Sequence, residues 1–175
     1  MRKTLAVLLL LACLLTAAFM VGCEKKVEAP ATEPPAAEPP AFSGSFFDAL
    51  TQMKTAGTVT FESNGSSYGT FLTTVTYDDV TIFNDNANQK YIGVFVNTDD
   101  VAIIDLYGMC DPVVYGGETY NYSGVGVDAI NYVAGLKVLI AFTVEKTPGA
   151  YTYVAEKGSA LLFTLPDAAA KVTLD

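Results

Sequence analysis

The sequence predicts an all-β domain, built as an antiparallel β-sandwich with one short N-terminal helix, and a small β-barrel is the alternative. Within residues 42–175, eight to ten short segments alternate apolar and polar side chains, turn residues follow each segment, and helical patterns are few. Alternation is typical of strands with one buried face, and consecutive strands joined by short turns pair antiparallel. The apolar strand predicted over 136–144 needs a covering layer, which favours the sandwich.

The clearest helical pattern opens the domain. Ser45 can cap a helix over residues 46–54, Asp48 stands at its third position, and Gly57 can end it. The apolar residues at helical spacing are Phe46, Phe47, Leu50 and Met53. We therefore expect this face of the helix to pack on the core.

The first strands follow the helix. Val59 and Phe61 are predicted to face the core, and Asn64-Gly65 is predicted to form a hairpin turn. The residues predicted on the opposite face are Thr58, Thr60 and Glu62. The apolar side of the next strand is predicted to consist of Phe71, Val75 and Tyr77. Asp78-Asp79 then predicts a turn into a strand over residues 80–83.

The remaining strands are separated by turn and loop signals. They are predicted over 91–96, 101–107, 136–144, 151–155, 161–165 and 171–174. Residues 84–89 form a polar loop, Asp99-Asp100 marks a turn, and residues 147–150 have the composition of a type II turn. Residues 128–135 could form one short helix. The strand at 136–144 is predicted to turn Leu136, Val138, Ile140, Phe142 and Val144 inward, with Lys137, Thr143 and Glu145 outside.

The N-terminus has the pattern of an export signal. A short basic start is followed by an uncharged block over residues 5–23, which ends in Met20-Val21-Gly22-Cys23. These last residues resemble the lipobox of the bacterial lipoprotein family, with Met20 where Leu is usual. The resemblance covers residues 1–23 and implies a signal peptide over 1–22, cleavage after Gly22 and a lipid on Cys23. The alternative is an uncleaved helical anchor, and both place the domain outside the cytoplasm.

A spacer separates this signal from the domain. Residues 24–41 contain five prolines and four glutamates, so they have little to bury and can extend to about 50 Å. The chain is therefore divided into a signal peptide (1–22), a lipidated Cys23 with its linker (23–41) and a β-rich domain (42–175). In some bacterial lipoproteins, Asp after the lipidated cysteine favours retention in the cytoplasmic membrane. Glu24 stands at that position here, so the resemblance implies the outer membrane, with the outer face of the cytoplasmic membrane as the alternative.

Composition excludes several functions. The chain has no His, so neither a Ser-His-Asp triad nor a Cys/His zinc site can form. Residues 42–175 carry six lysines, no arginine and fifteen acids, a formal charge of −9 that argues against nucleic acid. Cys110 is the only cysteine after Cys23 and is expected to be a buried thiol. We predict no catalytic residue and no cofactor, which favours a protein that is not an enzyme.

Acidic residues offer two weaker possibilities. Carboxylates such as Asp78-Asp79 and Asp99-Asp100 lie at turns, and Asp105 is expected to share an outward strand face with Ile103 and Tyr107. Residues 84–88 have oxygen ligands at alternate positions but depart from the EF-hand pattern, so no metal site is predicted.

A Tyr- and Gly-rich segment over residues 107–132 is the candidate binding region. Tyrosines on such a segment give rigid, amphipathic contact area, although cross-strand aromatic packing is the alternative. The candidate ligand-binding residues are Tyr107, Tyr115, Tyr120 and Tyr122.

The leading hypothesis is a lipid-anchored envelope lipoprotein whose domain binds a partner or has a structural role. Its expected contacts are the membrane, through Cys23, and an envelope protein or a glycan. The alternatives are a glycan hydrolase that uses carboxylates alone, and a periplasmic inhibitor or assembly factor.

Overall fold

The computed structural model describes residues 42–175. Gly22, Cys23 and the linker lie outside the described residues, so the signal and lipidation remain predictions. Within the described part, one helix and ten strands follow in chain order: α1 (Phe46–Thr55), β1 (Val59–Ser66), β2 (Gly69–Tyr77), β3 (Val80–Phe83), β4 (Lys90–Val96), β5 (Val113–Tyr115), β6 (Glu118–Tyr122), β7 (Lys137–Glu145), β8 (Tyr153–Ala155), β9 (Gly158–Thr164) and β10 (Ala168–Leu174). No helix in this part is long and apolar enough to cross a membrane.

The strands form two antiparallel sheets. The small sheet has the order β1-β2-β3, and the large sheet has the order β10-β9-β7-β4-β6-β5. The central strand β7 pairs along one edge with β4, while its other edge is shared between β9 and β8. The large sheet curls like half of a barrel, and the small sheet packs on one of its faces. The predicted all-β antiparallel class with one short helix is confirmed.

Helix α1 begins and packs as its sequence predicts. Ser45 and Asp48 form a capping box: the Asp48 N–H donates to the Ser45 hydroxyl (3.2 Å), and the Ser45 N–H donates to Asp48 Oδ2 (2.7 Å). The Ser45 hydroxyl also donates to Asp48 Oδ2 (2.9 Å), and the hydrogen bonds from the Ser45 N–H and hydroxyl lower the pKa of the Asp48 carboxyl. The buried helix residues are Phe46, Ala49, Leu50 and Met53. Phe47 lies at the margin of the core, edge-on to Phe61.

The main core, called here the first cluster, lies between helix α1, the small sheet and one face of the large sheet. Its buried side chains come from every one of these layers: Phe46, Ala49, Leu50, Met53, Val59, Phe61, Leu72, Val75, Ile82, Val96, Ile103, Val127, Ile130, Leu136, Val138, Ile140, Leu161, Phe163 and Leu165. All of them are hydrocarbon side chains apart from the Met53 thioether. Burial of this much apolar surface is the main stabilisation of the fold.

The first hairpin differs from the prediction. Asn64-Gly65 lies inside β1, and the chain reverses at residues 67–68, where Ser66 pairs with Gly69. The Gly69 φ of +114° suits this turn, and the Ser66 hydroxyl accepts a hydrogen bond from the Tyr68 N–H (3.1 Å). The turn prediction was wrong because pairing continues past the Asn-Gly dipeptide.

A β-bulge also changes which side chains of β2 are buried. The register between β1 and β2 shifts after Glu62, which leaves Thr73 without a partner residue on β1. Leu72 therefore faces the core, whereas Phe71, predicted inward, is exposed. A bulge inserts one residue and so reverses the alternation that sequence reading assumes.

Two further predicted elements are absent from the described chain. Residues 101–107 are turns rather than a strand, because the Ile103 and Ile104 N–H groups both donate to the Asp100 carbonyl. Residues 128–135 do not form a helix: the Asp128 carboxylate accepts a hydrogen bond from the Thr70 N–H (2.7 Å) instead of capping a helical turn.

Strand β7 is buried on both faces. Leu136, Val138 and Ile140 face the first cluster as predicted, but Thr143, predicted outside, is buried and donates its hydroxyl to the Tyr91 carbonyl (3.1 Å). On that opposite face lies a second cluster, whose buried members are Phe95, Cys110, Tyr120, Leu139, Ala141, Ala160 and Leu174. The candidate binding features of the domain lie on this second face of the large sheet.

Candidate functional site

The four tyrosines singled out by sequence occupy three environments. Tyr107 is 92% exposed, Tyr120 is buried in the second cluster, and Tyr115 and Tyr122 are half-buried at its margin. Tyr120 donates its hydroxyl to Glu118 (2.9 Å), and burial raises its pKa. Burial also raises the pKa of Tyr122 to about 12. The structure therefore places three of the four in core packing and leaves Tyr107 free to meet a partner.

Tyr107 lies on a loop over residues 105–111, called here the 105–111 loop, that is fixed at its first residue. The Asp105 N–H donates to the Tyr122 carbonyl (2.8 Å), which ties the loop to β6. The Asp105 carboxylate then accepts hydrogen bonds from the Tyr107 N–H (2.9 Å) and from the Met109 N–H. One side chain thus closes the whole tip, as Asp residues often do in turns.

The other end of the loop is fixed just as firmly. Cys110 is buried in the second cluster, and burial, followed by the charge of Asp111, raises the pKa of its thiol to about 12. The Tyr153 N–H donates to the Met109 carbonyl (2.7 Å), and the Asp111 N–H donates to the Tyr153 carbonyl (3.2 Å). Lys146 forms an ion pair with Asp111 (2.6 Å). A neutral, buried thiol of this kind acts as an anchor and not as a nucleophile.

Between these anchors the loop exposes apolar side chains. Leu106 is 66% exposed and Met109 is 45% exposed, with Tyr107 between them. Val101 and Val114, on the flanking segments, are also exposed. Exposed apolar residues grouped on one rigid segment are typical of interaction sites, whereas scattered ones are normal.

A second feature is a hollow beside the β7–β8 turn. It has a volume of about 270 Å³ and is lined by Gln89, Tyr91, Glu145, Gly149, Tyr151 and Tyr153. The rings of Tyr91 and Tyr153 meet edge to face, with centroids 6.1 Å apart. We call this feature the tyrosine hollow. Sequence reasoning missed it because its walls come from β4, β7, β8 and a turn.

The predicted type II turn forms one rim of the tyrosine hollow. Ala150 donates to the Thr147 carbonyl (3.0 Å), and Gly149 has a φ of +80°. The Glu145 carboxylate accepts hydrogen bonds from the Gly149 N–H (2.9 Å) and the Tyr151 N–H (3.3 Å). Glu145 therefore holds the turn and the exposed Tyr151 in one arrangement.

The carboxylates of the described chain are mostly engaged with lysines or backbone groups. Ion pairs join Lys90 to Glu156, Lys137 to Glu118, Lys146 to Asp111, and Lys171 to Asp78 and Asp79. Hydrogen bonding lowers the pKa of Asp48, Asp79, Asp85 and Glu118. A carboxylic acid that donates a proton in glycoside hydrolysis needs a raised pKa, which is the opposite direction.

A further depression, of about 440 Å³, is lined by charged residues. It lies beside the Lys90–Glu156 ion pair and the ring of Phe142.

The 84–88 loop, whose oxygen ligands alternate in the sequence, is held by its own hydrogen bonds. Asp85 accepts hydrogen bonds from the Asn88 backbone and side-chain amides. Within residues 42–175 no group of three or more His, Cys, Asp or Glu side chains is placed to hold a metal ion.

Comparison with protein-family models, with curated proteins and with solved structures gives no match. The class that the geometry itself defines is a small antiparallel β-domain with a rigid, apolar, solvent-facing loop and a neighbouring aromatic hollow.

Proposed function

We propose that the protein is a lipid-anchored lipoprotein of the cell envelope, and that its domain is a non-catalytic module that binds another envelope protein. The lipobox-like Met20-Val21-Gly22-Cys23 and the Pro- and Glu-rich linker support the anchoring. We place the lipid on Cys23 in the outer membrane, with the outer face of the cytoplasmic membrane as the alternative. The linker would let the domain reach partners away from the lipid surface.

The observation that carries the binding role is the rigid apolar tip of the 105–111 loop. Ordering a loop on binding costs about 1–2 kcal/mol per residue in backbone entropy. Here Asp105, Cys110 and the backbone bonds to Tyr153 have already ordered it. Tyr107 and its apolar neighbours can then contribute burial energy to a complex without that loss, which is how hot-spot residues reach high affinity.

The negative charge of the domain predicts which charge the partner's binding surface should have. Residues 42–175 carry a formal charge of −9, and both Asp105 and Asp111 border the exposed tip. A partner with an apolar pocket and a basic rim would be steered toward this loop by opposite charge. An inhibitor or assembly factor is one form of this proposal, in which the partner is a cationic enzyme or another envelope component. The engagement of most described carboxylates with lysines or backbone N–H groups favours binding over glycan hydrolysis.

Mass spectrometry of the protein from its native host tests the anchoring. We expect a mature chain that begins at Cys23 and carries fatty acyl chains, and we expect Cys23→Ala to abolish acylation and leave an unprocessed chain. Cys13→Ala is the matched control, since this cysteine lies in the same apolar block and should not matter. An intact Met1 in the wild-type protein would contradict the lipoprotein assignment.

Site-specific photo-crosslinking in the native envelope tests the binding loop. A photo-reactive benzoylphenylalanine at position 107 should give discrete adducts, and the same residue at position 68 should give less than about one-tenth as much, given how strongly a few central residues dominate an interface. Tyr68 is a matched control because it is 85% exposed and also lies at a turn. Asp105→Ala should reduce the adducts at position 107 by releasing the tip. Equal adducts at both positions would refute the assignment.

A further inference from the structure

We propose that the tyrosine hollow binds one pyranose ring of a neutral glycan. This site goes beyond the protein-binding role, because it uses different residues on the neighbouring turn. The 105–111 loop and the hollow are joined at two points: Tyr153 of β8 bonds the loop through its backbone and lines the hollow, and Lys146, next to Glu145, forms an ion pair with Asp111 of the loop.

The lining has the two chemical properties that a sugar requires. A pyranose has an apolar C–H face, which packs on an aromatic ring, and a rim of hydroxyls, which need hydrogen-bond partners. Tyr151 is 72% exposed, so its ring is available for stacking. Gln89 offers an amide, and the Glu145 carboxylate has lone pairs beyond the two that accept the turn N–H groups.

Backbone strain provides an independent reason to regard the hollow as a site. Three non-glycine residues of the described chain have positive φ, and two of them, Gln89 (φ 53°) and Tyr151 (φ 55°), line this hollow. A bulky residue in the left-handed region is uncommon, and such strain tends to persist where it aims a functional side chain. Glu145 supplies the hydrogen bonds that hold Tyr151 in this conformation.

The size and charge of the tyrosine hollow restrict the class of ligand that it can bind. A volume of about 270 Å³ is close to the lower end of small-molecule sites, which suits one sugar unit of a longer chain. The lining has a carboxylate and no lysine or arginine, and the domain is strongly acidic. Uronic acids and phosphorylated glycans would be repelled, so the ligand should be uncharged at this unit.

Titration of the folded protein with chitotriose, maltotriose and cellotriose, followed by amide NMR, tests the proposal. At least one trisaccharide should shift the amides of Gln89, Tyr91, Gly149 and Tyr151, with a dissociation constant in the millimolar range or below. Glucuronic acid oligomers should not shift them. An absence of shifts at these amides with all three neutral trisaccharides, or shifts confined to another surface, would overturn the assignment.

Tyr151→Gly is the decisive variant, because it removes the aromatic ring and preserves the backbone conformation. Glycine adopts the left-handed conformation freely, so the thermal midpoint should stay close to that of the wild type. Affinity for the trisaccharide should fall about tenfold or more, since one stacked ring is removed. Affinity that stays unchanged in Tyr151→Gly would refute the role of the hollow.

Tyr68→Ala and Tyr107→Ala should bind the trisaccharide as the wild type does. The second of these also keeps the two proposals apart, since it removes the proposed protein contact without touching the tyrosine hollow. A synthetic tyrosine- and proline-containing peptide that shifts the hollow amides while the sugars do not would assign the hollow to peptides and reject the glycan proposal.

Discussion

The two faces of strand β7 are built differently. The face that includes Ile140 packs under the small sheet and helix α1, where every buried neighbour is a hydrocarbon or thioether side chain. The face that includes Leu139 belongs to the second cluster, which contains the Cys110 thiol of the 105–111 loop, a buried tyrosine and two alanines. Tyr115, Tyr122 and Tyr153 surround this second cluster and are only partly buried.

The two faces of the large sheet therefore differ in role: the first mainly stabilises the fold, and the second supports the proposed binding sites. Helix α1 and the strands of both sheets supply most of the first cluster, so most of the backbone around it is hydrogen-bonded within regular elements and little can vary there. The second cluster includes Cys110 from the 105–111 loop, and loops supported by a rigid scaffold are where binding residues concentrate. Both proposed sites lie on this second side, attached to the sheet by Cys110 and Tyr153.

Substitution of two neighbouring residues on β7 should give the largest change in stability and so tests the difference between the two faces. Ile140→Ala should reduce the free energy of unfolding by about 4 kcal/mol and Leu139→Ala by about 2.5 kcal/mol, within the usual range for buried aliphatic residues. Both side chains are fully buried, but the cluster around Leu139 includes Cys110 from a loop, and a loop can move into a cavity more easily than two packed sheets can. Urea denaturation measures both values. Equal losses would mean that the second face is as rigid as the first.

Gly93 on β4 tests how tightly the second face is packed. A Cβ at this position would clash with the Thr143 methyl and lie 2.7 Å from the Phe95 ring, so Gly93→Ala should destabilise by about 2 kcal/mol. Gly65→Ala is the matched control, because a methyl added to that strand glycine would have no neighbour within 4 Å and its φ is ordinary. It should be neutral or slightly stabilising.

Adding Thr143→Ser to Gly93→Ala should recover part of the loss, since serine keeps the hydroxyl and removes the clashing methyl. Thermal or urea unfolding of the single and double variants gives the coupling. Full stability of Gly93→Ala alone would show that the second face is loosely packed.

The smallest expected effect is the dependence of stability on alkaline pH, which arises from the thiol of the loop anchor Cys110. Burial raises the pKa of this thiol from 9.0 to about 12, so between those values the unfolded chain loses a proton that the folded chain keeps. Stability should therefore be level below about pH 9 and fall as pH rises above it. Cys110→Ala should delay the onset of this fall to about pH 10, where buried tyrosines such as Tyr122 begin to contribute. Identical pH profiles for both proteins would mean that the thiol is not protected by the loop.

The sequence by itself determined the features that local interactions decide. The Ser45–Asp48 cap, the alternation of Val59 and Phe61, the Asp78-Asp79 reversal and the type II turn at 147–150 each involve residues a few positions apart. Their conformations follow from side-chain hydrogen bonds, β-pairing periodicity and the φ freedom of Gly149. The all-β class follows from the sum of such local preferences.

Only the tertiary structure decided the rest, because the responsible partners are far apart in the chain. The bulge at Thr73 reversed the faces of β2, and Asp128 bonds to Thr70 across the fold instead of capping a helix. Strand β7 is buried on both faces because residues distant in the chain, among them Tyr120 of β6 and Cys110 of the 105–111 loop, form a cluster on the side that its alternation assigned to solvent. The tyrosine hollow likewise exists only because sheet pairing brings Tyr91 beside Tyr153, and no local pattern encodes a contact between strands that distant in sequence.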